Sequence, residues 1–118
     1  CILTAWWASS APPAVVGKVQ AALLVAPGDV EQAELRQHLP GWVPIARQRL
    51  PFAAVVVGSQ NDPYCRLARA QQLAADWGAQ WVDAGAAGHI NSASQLGDWP
   101  QGHALLQDLV KDSVHGKR

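Results

Sequence analysis

The sequence predicts an α/β fold, a three-layer α/β/α sandwich around a mainly parallel sheet. Three observations predict it. Strand-like and helical segments alternate along the chain; the two longest strand candidates are unbroken apolar runs; and each of those runs ends in a loop built from Gly, Asp, Asn, Ser or Pro. A strand covered on both faces reads as a continuous apolar run, not an alternating one. Strands that alternate with helices are joined by right-handed crossovers, which put helices on both faces of a parallel sheet.

The elements follow in order. "CILTAWWASS" opens the chain with Ala, Leu and Trp on most faces, which suits a buried helix over residues 1 to 9, with Pro12 and Pro13 as its stop. "KVQAALLVAP" is apolar from Ala21 to Ala26 and predicts a strand ended by Pro27, Gly28 and Asp29. "VEQAELRQHL" has the composition of a short helix, and "PGWVPIARQRLP", with three prolines, predicts an irregular excursion. "FAAVVVGSQNDP" repeats the design of the first strand. In "YCRLARAQQLAADWG", Leu67, Ala70, Ala74 and Trp77 recur at spacings of three and four, and Gly78 stands where a helix C-terminus wants it. "AQWVDAG" predicts a short strand, "GHALLQDLVKDSV" a closing amphipathic helix, and "HGKR" a frayed tail. Three strands make a thin sheet.

Composition narrows the function classes. The 118 residues, 49% hydrophobic, are enough for a single domain. Nine basic and nine acidic residues leave no net field to hold a phosphate backbone, so nucleic acid is not an expected partner. The apolar runs fall short of the ~20 residues a membrane-spanning helix needs, so no membrane is expected either. Cys1 and Cys65 are too few for a disulfide framework or a zinc site, and a reducing cytoplasm fits them best. Cys1 itself admits three readings: an N-terminal nucleophile, a lipidated first residue, or the point where a longer chain has been cut. The apolar cluster of Ile2, Leu3, Ala5, Trp6 and Trp7, where a tether would be polar, favours the third.

Ligands of parallel sheets collect at the carboxyl ends of the strands. "GSQNDPY" leaves the second predicted strand there and "AGAAGHIN" the third, so Asp62 and His89 can meet across 27 residues of chain. A histidine on a Gly-rich loop can exchange protons near neutral pH, and a carboxylate beside it fixes its tautomer and stabilises the imidazolium. These are two members of a Ser-His-Asp arrangement. In the α/β-hydrolase order, the serine comes first, on a G-x-S-x-G turn that feeds a helix. The chain opens on a helix that such a turn would feed; if Cys1 follows the last glycine of the turn, the serine lies three residues before Cys1. Each residue also has a plainer reading. Asp62 before Pro63 suits a turn or cap; Asp29 is the rival acid and Asp83 the third. His38, His103 and His115 lie in polar, helical surroundings and read as solvated, and Cys65 reads as a small buried residue. Ser59 and Ser92 lack a glycine-flanked elbow, which makes them weak nucleophiles. Trp6, Trp7, Trp77 and Trp81 fall in elements that need apolar packing and read as core. Trp99, next to Pro100 and near the histidine loop, reads as a pocket wall or lid.

Taken together, "VVVGSQNDPYC", "GHIN" and "LGDWPQG" resemble the small α/β-hydrolase family that includes the retinoblastoma-binding serine hydrolase and its bacterial relatives. The resemblance runs from Cys1 to about Leu109. It implies that Asp62 is the triad acid and His89 the base, and that residues 1–118 are the C-terminal portion of one hydrolase domain. The family's N-terminal strands, serine and oxyanion-hole amides would then lie outside this chain. The implied activity is hydrolysis of a small ester, amide or thioester through an acyl-enzyme, with no metal or organic cofactor. The alternative is a non-catalytic module on a hydrolase scaffold that binds a protein partner. Fold alone does not choose between them.

Overall fold

A computed structural model describes residues 1–114; the "HGKR" tail, His115 included, lies outside the described residues. Helix α1 spans Ile2–Ser10 and α2 Pro13–Val16, followed by β1, Ala21–Val25. Helix α3, Ala33–His38, and a 3-10 turn at Pro40–Trp42 lead to β2, Ala53–Gly58. Then come α4, Leu67–Asp76, β3, Gln80–Asp83, a second 3-10 turn at Ser92–Ser94, and α5, Pro100–Val114. The three strands lie in the order β1-β2-β3, both pairs parallel, with Leu24 opposite Val56 and Val56 opposite Trp81.

Strand alternation sorts the side chains into two cores, one on each face. Leu24, Ala54 and Val56 point to the face covered by α1 and α4, where they meet Ala5, Leu73, Ala74 and Trp77. Ala53, Val55 and Val57 point the other way, with Leu105 and Leu109 of α5. Helix α4 packs on β2 and β3, and α5 on β1 and β2. The fold is therefore α/β, with helices on both faces of a parallel sheet. Buried positions 70, 73, 74 and 77 recur at the spacing that brings one face of α4 onto the sheet, and Gly78 follows at φ +68.

Four expectations are corrected. Continuous apolarity was to mean cover on both faces; β2 is buried at every position, but β1 is only half-buried at four of its five. β1 is an outer strand of the sheet, with β2 as its one partner among the described residues. Helix α1 was expected to be buried on most sides, yet only Ala5 is, because a helix lying on a sheet offers it one stripe. Trp6, assigned to the core, is 53% exposed for the same reason, whereas Trp7 and Trp81 pack half-buried against the core and Trp77 is fully buried. Finally, Pro12 and Pro13 do more than end α1: the ring of Pro13 takes the first position of α2, where its missing N–H costs nothing.

An ionic cluster ties the excursion after β1 to α4. Glu31 accepts from the Ile45 amide at 3.0 Å and pairs with both Arg47 and Arg69, while Arg69 also faces Asp29 at 3.4 Å and Arg47 faces Asp76 at 3.4 Å. Burial pushes the Glu31 carboxyl up, but the Ile45 amide and the two guanidiniums outweigh it and hold the group below its ordinary 4.5. A carboxyl lowered on folding stabilises above its unfolded value, and that contribution fades as pH falls through the folded one. Glu31→Gln is therefore expected to lower the urea midpoint more at pH 7 than at pH 3. An equal deficit at both pH values would show that the cluster acts through shape and not charge.

Candidate active site

The carboxyl ends of β2 and β3 carry two loops, and hydrogen bonds join them along their length. Gln60 N–H donates to Gly85 O at 2.8 Å, and Ala84 N–H to Gly58 O at 2.8 Å. The Gln60 side chain donates to Asp83 Oδ2 at 3.1 Å. Ser59 Oγ accepts the Ala87 N–H at 2.9 Å, and Asn61 Oδ1 accepts the Gly88 N–H at 2.7 Å. From the histidine side, Ser94 Oγ donates to Ala87 O at 2.6 Å.

Within that frame Asp62 and His89 come together. His89 Nδ1 lies 2.9 Å from Asp62 Oδ2 and 3.1 Å from Oδ1, and Oδ1 also accepts the Tyr64 N–H at 2.8 Å. The Asp62 side chain is only 2% exposed, the His89 side chain 30%. An ionised carboxylate accepts only, so Nδ1 carries the hydrogen in this pair and Nε2 presents its lone pair. Tyr64 sets its ring edge against the imidazole, 4.7 Å between centroids at 66°. Its carbonyl accepts the Asp29 N–H at 2.8 Å, which links this loop to the one after β1.

The other candidates lie elsewhere. Asp29 faces Arg69 and caps its own loop at the Glu31 N–H, and Asp83 accepts from Gly85 N–H at 2.8 Å. Neither carboxylate bonds the imidazole. Ser59 is 2% exposed, with its hydroxyl engaged by Ala87 and by Asn61 Oδ1 at 3.1 Å; Ser92 stands exposed on the 3-10 turn. Cys65 is 2% exposed, and burial, reinforced by Asp29 and Asp62, pushes its thiol up to about 12, so it stays protonated at neutral pH. His38 and His103 are exposed on helices. Cys1 lies at the same edge of the sheet as the pair, its thiol 3.5 Å from Val25 O at the end of β1.

Trp99 is half-buried and packs against the α5-side core. Its indole covers Gly102 so closely that a Cβ there would fall 2.1 Å from Cε3. The same ring, with Leu96, walls two neighbouring cavities, one of about 540 Å³ against Val82, Ala84 and Leu105, the other of about 420 Å³ under the loop from Ile90 to Gly97. Among the described residues, no three His, Cys, Asp or Glu side chains gather to hold a metal ion, and no helix is long and apolar enough to cross a membrane.

Sequence reasoning missed Asn61 and the part that Ser59 and Ser94 take in holding the loops. The signal was present in the polar run Ser59-Gln60-Asn61 directly before the acid, because Ser and Asn in loops bind backbone amides.

The family model described as serine hydrolase matches residues 1–108, and the chain belongs to that family. Comparison with curated proteins found no match. Among solved structures, the chain is similar to a YdeN-like hydrolase from Pectobacterium atrosepticum, at 25% sequence identity and a TM-score of 0.77. That likeness covers 95% of this chain and 55% of the other, so the chain spans about half the length of the protein it matches.

Proposed function

We propose that the protein is a serine hydrolase that cleaves a small ester, amide or thioester through an acyl-enzyme. The observation that carries this reading is the buried Asp62 carboxylate on Nδ1 of His89, which leaves Nε2 as a proton acceptor at the carboxyl edge of the sheet. His89 takes the proton of the attacking serine and later returns it to the leaving group, while Asp62 orients the ring and stabilises its charged form. The serine itself is assigned to the third position ahead of Cys1. Support comes from the family, from the bonded hydroxyl of Ser59, and from the proximity of Cys1 to the end of β1. A substrate's apolar part would lie against Trp99, beside a cavity in the size range of small-molecule sites.

The test is labelling of the full-length protein by a fluorophosphonate, followed by mapping of the modified peptide. One serine upstream of Cys1 should be modified, and His89→Ala should slow the reaction by about 10⁴-fold or more, the scale on which loss of the base acts in a Ser-His-Asp unit. No labelling, with another residue in place of the serine, would favour a protein-binding module. Equal labelling of parent and variant would mean that His89 does not activate the nucleophile.

A further inference from the structure

We infer that Asn61 and Ser59 are positioning residues, a clamp that holds the backbone of the histidine loop in a strained shape and so keeps His89 on Asp62. The strain is visible in the dihedrals: Gly88 has φ +64 and Ile90 φ +51. Glycine adopts such angles freely, but a β-branched residue there is an outlier. Conformations of this kind persist only where the surroundings over-determine them. Here the surroundings act on the backbone of Ala87 and Gly88, the two residues before His89. Ser59 Oγ fixes Ala87 N, Asn61 Oδ1 fixes Gly88 N, and Ser94 Oγ holds Ala87 O. The Ser59 hydroxyl also donates to Asn61 Oδ1, which turns the carboxamide oxygen, and not its NH2, towards Gly88. Asn61 and Ser59 therefore act as one unit. Both sit on the loop that carries Asp62, so the clamp fixes the acid and the imidazole relative to each other directly, without passing through the rest of the sheet.

A merely structural role would tie the loops without affecting the imidazole, and that difference sets the readout. The activity arm of the test rests on the hydrolase reading above; the spectroscopic arm does not. In full-length protein with ¹⁵N-labelled histidine, the His89 Nδ1 proton reports the bond to Asp62. Asn61→Ala is expected to weaken or remove that signal and to slow fluorophosphonate labelling at saturating probe by roughly tenfold, the scale of one lost backbone hydrogen bond at an ordered site. The half-saturating probe concentration should not change. Asn61→Asp keeps the acceptor oxygen and should keep the proton signal. Adding Ile90→Gly to Asn61→Ala removes the backbone conflict and should recover part of both readouts. An Asn61→Ala protein with the parent's proton signal and labelling rate would overturn the clamp, and so would Asn61→Asp losing the signal as completely as alanine does. If His89→Ala labels like the parent, the hydrolase reading fails separately. The proton signal then decides alone: its loss in Asn61→Ala supports the clamp and its persistence overturns it.

Discussion

Trp77→Ala is expected to cost about 3 to 5 kcal/mol, the range for truncating a large aromatic in a packed core. Among the described residues no other side chain of its size is fully buried. It also joins α4 to the excursion before β2, beside the Glu31 cluster: its indole N–H donates to Ala46 O at 2.7 Å, and its own carbonyl accepts the Leu50 N–H at 2.9 Å. Removal of the ring leaves a cavity between α4 and the excursion from Val43 to Leu50, and it deprives Ala46 O of its donor. Against a typical domain stability of about 5 to 15 kcal/mol, that loss takes about a fifth or more. Trp77→Phe keeps much of the packing and forfeits the indole bond, so its cost should be nearer 1 to 2 kcal/mol, roughly a lost hydrogen bond plus imperfect fit. Urea denaturation of parent and both variants provides the check. A Trp77→Ala midpoint within error of the parent would mean that the excursion is held elsewhere, by the Glu31 cluster.

The α/β order was readable because each element carries its own signal. β2 is apolar throughout, α4 has its period and its terminal glycine, and the loops between them are rich in residues that cannot continue either. The misses occurred where burial depends on a neighbour and not on the residue itself. Leu3 and Trp6 are as apolar as Trp77, and the sequence has no local mark that one is 57% exposed, one 53% and the third not at all. Which face of α1 meets the sheet follows from how the helix packs, a tertiary fact. The short α2 was hidden for a different reason: paired prolines read as a stop, and Pro13 can equally begin a helix.

At the site, Asp62 and His89 could be singled out because both follow predicted strands at the same edge. What brings them within 2.9 Å is less local. It depends on the amides of Ala87 and Gly88 finding acceptors on the other loop, and backbone amides leave no trace in sequence. Ile90 illustrates this. Nothing in "GHIN" announces a left-handed isoleucine, since its intrinsic preference is the opposite; the conformation is flanked by bonds from Ile90 N–H to Ala87 O at 3.3 Å and from Asn91 N–H to Ser94 Oγ at 3.2 Å.

Asp62→Asn should reduce fluorophosphonate labelling of the full-length protein by about 10⁴-fold, the scale on which loss of the orienting carboxylate acts in Ser-His-Asp enzymes. The substitution is nearly isosteric, and its remaining oxygen can still accept the Tyr64 N–H, so the loop's turn is retained. Its NH2, however, now faces Nδ1. The imidazole then moves its hydrogen to Nε2, and the nitrogen that should accept the serine proton becomes a donor. If the amide turns its oxygen to the ring instead, the tautomer survives but the negative charge that stabilised the imidazolium is gone. Both arrangements slow the same step. His89→Ala leaves the 2%-exposed Asp62 carboxylate without its ring partner, so that variant should lose stability as well as activity, a cost that Asp62→Asn avoids. The decisive measurement is the double variant. Because the two residues act as a unit, Asp62→Asn combined with His89→Ala should label no more slowly than His89→Ala alone, since an absent imidazole cannot be mis-oriented. A double variant whose deficit is the product of the two single deficits would mean that Asp62 acts independently of His89, and the pairing at 2.9 Å would then be a loop contact without a part in the chemistry.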